Sequence, residues 1–312
     1  MIAPIKNIEI ATRVLTELTK AGVREFILCP GARNSPFVCI LDKSPELKVY
    51  SFFDERSAGF FALGRMATTR RPVAVITTSG TAVAELLPAV IEATYSSLPL
   101  VVVSADRPKA HRNTGSPQTI QQVGLFSYYI EVQFDLDKSN SHISFKRLSW
   151  KKPVHVNCCF NEPLLDADIP EVKIPPKPER TKLVSTVPEE YIKDVEIYMN
   201  YQRPLVILGY LPDKSRPPVL EFLKKYKAPI FAEAISGLRG HPDLKPYLIR
   251  SGEKMIRRLL EEKKCDSIVR LGGVPTLRVW RDLEDKYKDL PVMSIGYNHF
   301  SGLGREGVKH YS

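Results

Sequence analysis

Short apolar runs alternate along this chain with segments whose apolar residues recur every three or four positions. The first pattern is typical of buried strands and the second of amphipathic helices. In the first half of the chain, strands are predicted at residues 25–29, 49–53, 72–81, 99–104, 128–136 and 153–159. Helices are predicted from Ile8 to about Gly22, after Pro36, after Glu55 and over residues 82–96. Such alternation predicts an α/β fold with a doubly wound, mainly parallel sheet.

The second half repeats this rhythm. Strands are predicted at residues 204–208, 229–232, 267–271 and 291–295, the last taken as the final strand, with helices from 189, over 219–226 and over 255–260. A proline-rich stretch between the halves predicts a first domain at residues 1–167, a linker at 168–188 and a second domain at 189–312. Residues 272–275 lack the full dinucleotide-binding fingerprint and are interpreted as a tight turn.

Composition narrows the possible partners. The chain has 312 residues, 43% hydrophobic and 26% charged, as in globular proteins. Its net charge of +10 is spread out without a basic run, which favours small anionic ligands over nucleic acid. The five cysteines lack C-x-x-C spacing, so we expect neither a zinc site nor a disulfide framework, but a cytoplasmic protein. Charged residues within the first 20 positions argue against a signal peptide or membrane span.

Polar residues follow four successive predicted strands. Arg33 follows the strand at 25–29, Glu55 the strand at 49–53, and Thr78, Ser79 and Gly80 end the strand at 72–81. A further strand leads to Arg107. Ligands of open α/β sheets bind at the carboxyl ends of strands, so a carboxyl group half withdrawn from water there is suited to holding or sharing a proton. Taken singly, Glu55 and Arg33 are better explained as solvated loop residues, and the turn at 78–81 is explained about as well by a capped helix as by a ligand site.

Together, five short motifs resemble one family in order and approximate spacing. This chain is similar to the MenD family, the thiamine-diphosphate-dependent 2-succinyl-5-enolpyruvyl-6-hydroxy-3-cyclohexene-1-carboxylate (SEPHCHC) synthases of menaquinone biosynthesis. The resemblance runs from the first helix to about Leu165 and continues more loosely beyond it. The motifs are Pro30-Gly-x-Arg33, Phe53-Asp-Glu-Arg-Ser57, Thr78-Ser-Gly-Thr-Ala82, Ala105-Asp-Arg-Pro108 and Gln118-Thr-Ile-x-Gln122.

The resemblance implies a pyrimidine-binding domain followed by a central domain. It implies a transferase that decarboxylates 2-oxoglutarate and adds the resulting succinyl-semialdehyde carbanion to isochorismate, with thiamine diphosphate and Mg²⁺ as cofactors. Glu55 is then the catalytic residue at the aminopyrimidine, inside an apolar surround of Phe52, Phe53 and Phe60. The remaining implied residues are Arg33, Arg107 and Gln118 for substrate, and Thr78, Ser79 and Gly80, with Glu55, for cofactor. A homodimer or homotetramer is implied as well.

Two departures from the family pattern qualify these expectations. Ala32 replaces the usual serine, and no glycine is followed by aspartate, so the diphosphate-binding domain is absent and no residue is predicted to bind metal. We therefore expect a truncated or split synthase that is inactive without a separate diphosphate-binding domain. The alternatives are a non-catalytic dicarboxylate-binding or regulatory protein, and a relative of acetolactate synthase. The arginines, which suit a polyanionic acceptor, make the last less favoured.

Overall fold

The computed structural model describes residues 4–176 and 188–312. The chain divides into two compact units, Met1–Arg180 and Thr181–Ser312. Each unit contains one sheet in which all paired strands run parallel. The predicted fold class, two α/β domains with mainly parallel sheets, is confirmed.

The first unit has a six-stranded sheet with the order β2-β1-β3-β4-β6-β5. Its strands are β1 Glu25–Leu28, β2 Lys48–Ser51, β3 Val73–Thr77, β4 Leu100–Asp106, β5 Val132–Leu136 and β6 Val154–Cys159. The helices are α1 Asn7–Lys20, α2 Ser35–Asp42, α3 Glu55–Thr69, α4 Thr81–Ala84 and α5 Leu87–Tyr95.

Helices cover both faces of this sheet because alternate strand residues point to opposite sides. Phe26 packs with α1 and α2 in one apolar cluster, whereas its neighbour Ile27 packs with α3 and α5 in another. The arrangement is doubly wound, and it leaves the carboxyl ends of the strands for other groups.

The second unit has a five-stranded sheet with the order β11-β10-β9-β7-β8, also with an apolar cluster on each face. Its strands are β7 Pro204–Leu208, β8 Ile230–Ala232, β9 Ser267–Leu271, β10 Val292–Ile295 and β11 Val308–Tyr311. The helices are α6 Glu189–Met199, α7 Arg216–Tyr226, α8 Glu253–Glu261 and α9 Arg278–Asp285. At the turn predicted for 272–275 the backbone bends at Gly272, whose φ is +95°, but α9 begins only at Arg278, so the connection from β9 is longer than a tight turn.

Five sequence predictions were wrong in detail. The strand at 72–81 ends at Thr77, and Thr81 already begins α4. The helix at 82–96 is two helices, α4 and α5, because Pro88 has no N–H to continue the first helix. The strand at 128–136 begins only at Val132, after a series of turns. Residues 49–53 form an edge strand that ends at Ser51 and is only half-buried. The strand at 291–295 is not the last, because β11 pairs beside it.

The beginning of the predicted linker packs on the first unit. Val172 is buried in the apolar cluster that contains α1, and its N–H donates to Ser44 Oγ at 2.9 Å. The N–H of Ile174 donates to Glu46 Oε2 at 2.9 Å. The rest of the linker, residues 177–187, lies outside the described residues.

Across residues 4–176 and 188–312, no helix combines the length and apolar character that crossing a membrane requires.

Candidate functional site

Four adjacent strands of the first unit bring candidate residues to one edge of the sheet. Because β2, β1, β3 and β4 pair in parallel, their carboxyl ends meet there, followed by Glu55, Arg33, residues 78–80 and Arg107 in that spatial order. Neighbouring strands lie about 4.8 Å apart, so the row extends over about 14 Å of sheet between β2 and β4. A small organic molecule could contact several of these residues at once.

Glu55 is the first residue of α3 and is half-buried. The preceding Asp54 caps the helix, since its Oδ1 accepts from Ser57 N at 2.6 Å. The Glu55 carboxylate accepts no hydrogen bond from any residue that the structure describes. The Glu55 carboxylate lies near Cys29, which follows β1. Burial raises the pKa of the Cys29 thiol to about 12, and the negative charges of Glu55 and Asp54 add to this shift. The carboxylate is therefore positioned by the fold and left available.

The apolar surround predicted for Glu55 is largely missing from this chain. Phe53 is 101% exposed and Phe60 is 47% exposed. Only Phe52 is half-buried, with its ring 4.9 Å from that of Phe61. For Phe53 the edge position of β2 explains the difference, because among the described residues no strand pairs on the outer side of β2.

The two glycines of α3 have different surroundings. A Cβ on Gly59 would lie 2.7 Å from the Cβ of Ala89, so this glycine allows α3 to approach α5 rather than the sheet. Gly64 is exposed and has open space around it, so it is not needed for close packing.

The turn after β3 is a narrow, nearly buried cradle. Gly80 has φ +87°, which favours glycine, and a Cβ there would lie 3.0 Å from Gln118 Cγ. Thr78 and Ser79 are buried. The hydroxyl of Thr78 has no hydrogen-bond partner within the described parts of the chain, although a buried polar atom normally has one.

Gln118 and Arg107 meet beside this cradle. Gln118 Nε2 donates to the Ser79 carbonyl at 3.2 Å, and Arg107 Nε donates to the neighbouring Pro117 carbonyl at 2.9 Å. The two terminal nitrogens of Arg107 donate to no described residue. The structure therefore brings Arg107, Gln118 and the turn at 78–80 together, with a free guanidinium edge.

Arg33 is placed at the same sheet edge but is already engaged. It lies in a single 3₁₀ turn, Ala32–Asn34, held by buried Asn34, whose Oδ1 accepts from Gly31 N and whose Nδ2 donates to Cys29 O, both at 2.9 Å. The NH1 group of Arg33 donates to the Phe160 carbonyl at 3.2 Å and lies 3.0 Å from Glu162 Oε1. An incoming anion therefore competes with Glu162, which is 67% exposed, for this guanidinium.

The role of Gln122 was not apparent from the sequence. This side chain is 1% exposed, its Oε1 accepts from Gly80 N at 2.9 Å and its Nε2 donates to Asn157 Oδ1 at 2.8 Å. Gln122 thus fixes the position of the turn at Gly80. The sequence shows that Gln122 ends the motif at 118–122, but it does not show that the side chain contacts Gly80.

Behind Gln122 lies a buried polar network within the sheet. Asn157 Nδ2 donates to Asp106 Oδ2 at 3.0 Å and to Asp135 Oδ1 at 2.9 Å, and its Oδ1 accepts from Ser104 Oγ at 2.8 Å. Arg112 bonds both carboxylates, with shortest distances of 3.2 Å and 2.8 Å. The available sequence signal was the polar residues at alternate positions of otherwise apolar β4 and β6.

His155 is the titratable end of this network. It is fully buried, and its Nε2 lies 2.8 Å from Ser104 Oγ. Burial lowers the pKa of the His155 imidazole to about 3, because the charged ring would lose its hydration, while the charge of Asp135 opposes the shift. In the unfolded chain a histidine pKa is about 6.5. Between these values the unfolded state binds the extra proton, so stability falls as the pH is lowered.

We therefore predict that His155→Leu flattens the pH dependence of stability. Relative to wild type, the variant should gain up to about 1.4 kcal/mol per pH unit below pH 6.5. Urea unfolding at pH 7, 6 and 5 measures this, followed through Trp150 of the first unit in a Trp280→Phe background, since the chain has 2 tryptophans. If the free energy of unfolding of the two proteins changed with pH in the same way, the conclusion that the buried His155 imidazole is neutral would be wrong.

Among residues 4–176 and 188–312, no group of three or more histidine, cysteine, aspartate or glutamate side chains is arranged to hold a metal ion.

Comparison with protein families supports this description of the first unit. Residues 8–125 match the family described as thiamine pyrophosphate enzyme, N-terminal TPP binding domain. Among solved structures, a thiamine diphosphate-dependent 4-hydroxybenzoylformate decarboxylase of Rhodococcus jostii has the same fold, with a TM-score of 0.71, 15% identity, and coverage of 98% of this chain and 59% of the other.

Curated relatives are more similar in sequence. A SEPHCHC synthase of Bdellovibrio bacteriovorus is 65% identical over 304 residues, covering 97% of this chain and 58% of the relative. A SEPHCHC synthase of Akkermansia muciniphila is 35% identical over 295 residues, covering 94% of this chain and 54% of the relative. The chain thus spans somewhat more than half the length of these relatives. The resemblance to the MenD family is thus confirmed: over nearly its whole length this chain is similar in sequence to SEPHCHC synthases, and its first unit matches the N-terminal domain of thiamine pyrophosphate enzymes.

Proposed function

We propose that this chain supplies the pyrimidine-side half of a thiamine-diphosphate-dependent SEPHCHC synthase, which uses 2-oxoglutarate and isochorismate. The first unit is then the pyrimidine-binding domain and the second the central domain. One observation carries the proposal. The Glu55 carboxylate, which has no hydrogen bond with a described residue, the turn at 78–80 and the free guanidinium nitrogens of Arg107 all lie at the carboxyl-end edge of the same sheet.

The residues present fit the aminopyrimidine end of such a cofactor. Thr78 offers a buried hydroxyl without a partner among the described residues, and Gly80, which has no side chain, lets Gln118 pack closely against the turn. The Glu55 carboxylate is free to bond a ring nitrogen. When bound, thiamine diphosphate supplies the carbon centre that adds to a 2-oxo acid and stabilises negative charge after decarboxylation. The task of Glu55 is to hold and return a proton at the pyrimidine ring, as carboxyl groups partly removed from water can do.

Arg107 and Gln118 are proposed to position the substrate carboxylates. Two guanidinium nitrogens of Arg107 can bond both oxygens of one carboxylate, which fixes its orientation as well as its position. Gln118, tied to Ser79 through its Nε2, keeps its Oε1 for a hydroxyl group. Arg33 joins this set when an anion displaces Glu162.

The remaining parts of the proposal concern partners and location. Mg²⁺ and the diphosphate group are proposed to bind a diphosphate-binding domain outside this sequence. A homodimer or homotetramer is supported by the exposed rings of Phe53 and Phe60 beside Glu55, which a second copy would cover. The five cysteines are free thiols, which supports the reducing cytoplasm.

The test is binding of isochorismate to this chain by calorimetry. We predict that Arg107→Ala weakens binding at least tenfold, because a charge-assisted hydrogen bond contributes about 1.5–3 kcal/mol. Arg147→Ala is the matched control, since Arg147 is exposed and has no partner among the described residues. Equal affinity of the wild type and the Arg107 variant would contradict the assigned substrate site.

A further inference from the structure

The second unit contains a small cavity, of about 300 Å³, at the carboxyl end of β8. The segment after the loop at 239–246 runs alongside this strand: Ile249 N donates to Ile230 O, and Ile230 N donates to Tyr247 O, both at 2.8 Å. Ile230 and Leu248 pair in parallel. Arg250 and Ala232 therefore emerge side by side at the sheet edge where α/β folds bind ligands.

The charges around this cavity all have one sign. Its lining includes three permanently basic side chains and one histidine, but no carboxylate. The lining residues are Ala232, Arg239, Gly240, His241, Pro242, Lys245, Leu248, Ile249 and Arg250.

Among the described residues, these three cations lack the carboxylate partner that five arginines of the same unit have. Within residues 188–312, Arg203, Arg216 and Arg257 each have a carboxylate partner. The side chains of Arg239, Lys245 and Arg250 have no hydrogen bond or ion pair with any residue that the structure describes. Three like charges around one concavity repel one another, and a bound anion would relieve that repulsion.

The cavity also offers an oriented neutral donor and an apolar wall. His241 Nδ1 accepts from Asp243 N at 3.3 Å, so the ring proton lies on Nε2, which remains available as a donor. Leu248 and Ile249 supply apolar surface, which strengthens charge interactions by excluding water on that side.

The size of the site restricts its ligand. Between β7 and β9, where the strand order reverses, two backbone segments approach closely: a Cβ on Gly209 would lie 2.1 Å from Gly273 O. The cavity beside β8 is at the small end of ligand sites, which suits a compact anion.

We propose that this cavity, called the β8 pocket, binds a small oxyanion carrying at least two negative charges, of the phosphate or dicarboxylate class. Arginine side chains suit both, because their fork matches paired oxygens. The proposal does not depend on the function assigned to the first unit.

Titration of the full chain with inorganic phosphate, and separately with malonate, tests it. Backbone amide NMR and calorimetry at low ionic strength should give a saturable site, with shifts at Gly240, His241 and Arg250. Arg250→Gln and Arg239→Gln should each weaken binding at least tenfold. Arg281→Gln is the matched control, because Arg281 is exposed and has no described partner, and it should change the affinity less than twofold.

Saturable binding of either anion that is weakened by Arg250→Gln supports the β8 pocket. The anion that binds more tightly, phosphate or malonate, identifies the class of ligand. Chloride at matched ionic strength provides the baseline. Shifts no larger than those with chloride would overturn the proposal, as would equal weakening by Arg281→Gln. Both pocket arginines are exposed, so the variants should fold, which circular dichroism checks.

Discussion

Replacing Glu55 with glutamine should lower synthase turnover by about a hundredfold to ten-thousandfold, the usual contribution of a positioned acid–base group. The measurement requires this chain joined to the remaining C-terminal portion of the Bdellovibrio bacteriovorus relative, supplied with isochorismate, 2-oxoglutarate, Mg²⁺ and thiamine diphosphate. The reason is that glutamine keeps the size and the helix position of residue 55 but cannot hold and return a proton. Isochorismate binding by the chain should persist in this variant.

Glu85→Gln is the matched control for this experiment. Glu85 is exposed and follows α4, and it has no described partner, so the same loss of charge there should leave turnover unchanged. If the Glu55 variant retained more than a third of wild-type turnover, the proton-handling role would be wrong. If the joined protein bound isochorismate but showed no turnover even with Glu55 intact, the non-catalytic alternative would be favoured.

Replacing Arg112 with methionine should reduce the free energy of unfolding of the first unit by about 3 kcal/mol, as expected when one partner of a buried ion pair is removed. Arg112 is 17% exposed and bonds Asp106, which is 0% exposed, and Asp135, which is 24% exposed. Methionine fills much of the same space, so the decrease in the free energy of unfolding measures the cost of leaving the two carboxylates without their cationic partner. Asn157 and Lys109 remain as partial compensation.

The pH dependence of this difference provides a second readout. Burial alone would raise the pKa of Asp135, but hydrogen bonds from Arg112 and Asn157 hold it below its usual value. A carboxyl group whose pKa is lowered by folding stabilises the fold at pH values above its unfolded-state pKa of about 3.9. This contribution is lost as the pH falls below that value towards the pKa in the folded state. The gap between wild type and Arg112→Met should therefore narrow below about pH 4.

Arg147→Met serves as control, since an exposed arginine without a described partner should change stability by less than about 0.5 kcal/mol. Urea unfolding followed through Trp150 in the Trp280→Phe background measures both proteins. An effect of Arg112→Met as small as that of the control would show that the network contributes little.

Local pattern was sufficient for much of this protein. Apolar runs of four to six residues gave β7 and β9 with their observed bounds, Pro204–Leu208 and Ser267–Leu271. The alternation with helices required parallel pairing, because a crossover helix returns the chain in the same direction. Parallel pairing in turn placed the residues after β1 to β4 at one edge. These conclusions follow from the sequence because they depend on neighbours along the chain.

The tertiary structure alone decided which partners these residues have. Strand order put β2 at the edge and left Phe53 exposed beside Glu55. Arg33 faces Glu162, 129 positions away, and Gln122 reaches Gly80 across 42 positions. Periodicity reports whether a position is buried but not what it is buried against, since side chains far apart in sequence meet only after the sheet has formed. The sequence therefore determined the row of candidate residues, and the fold determined which of them remain free to bind.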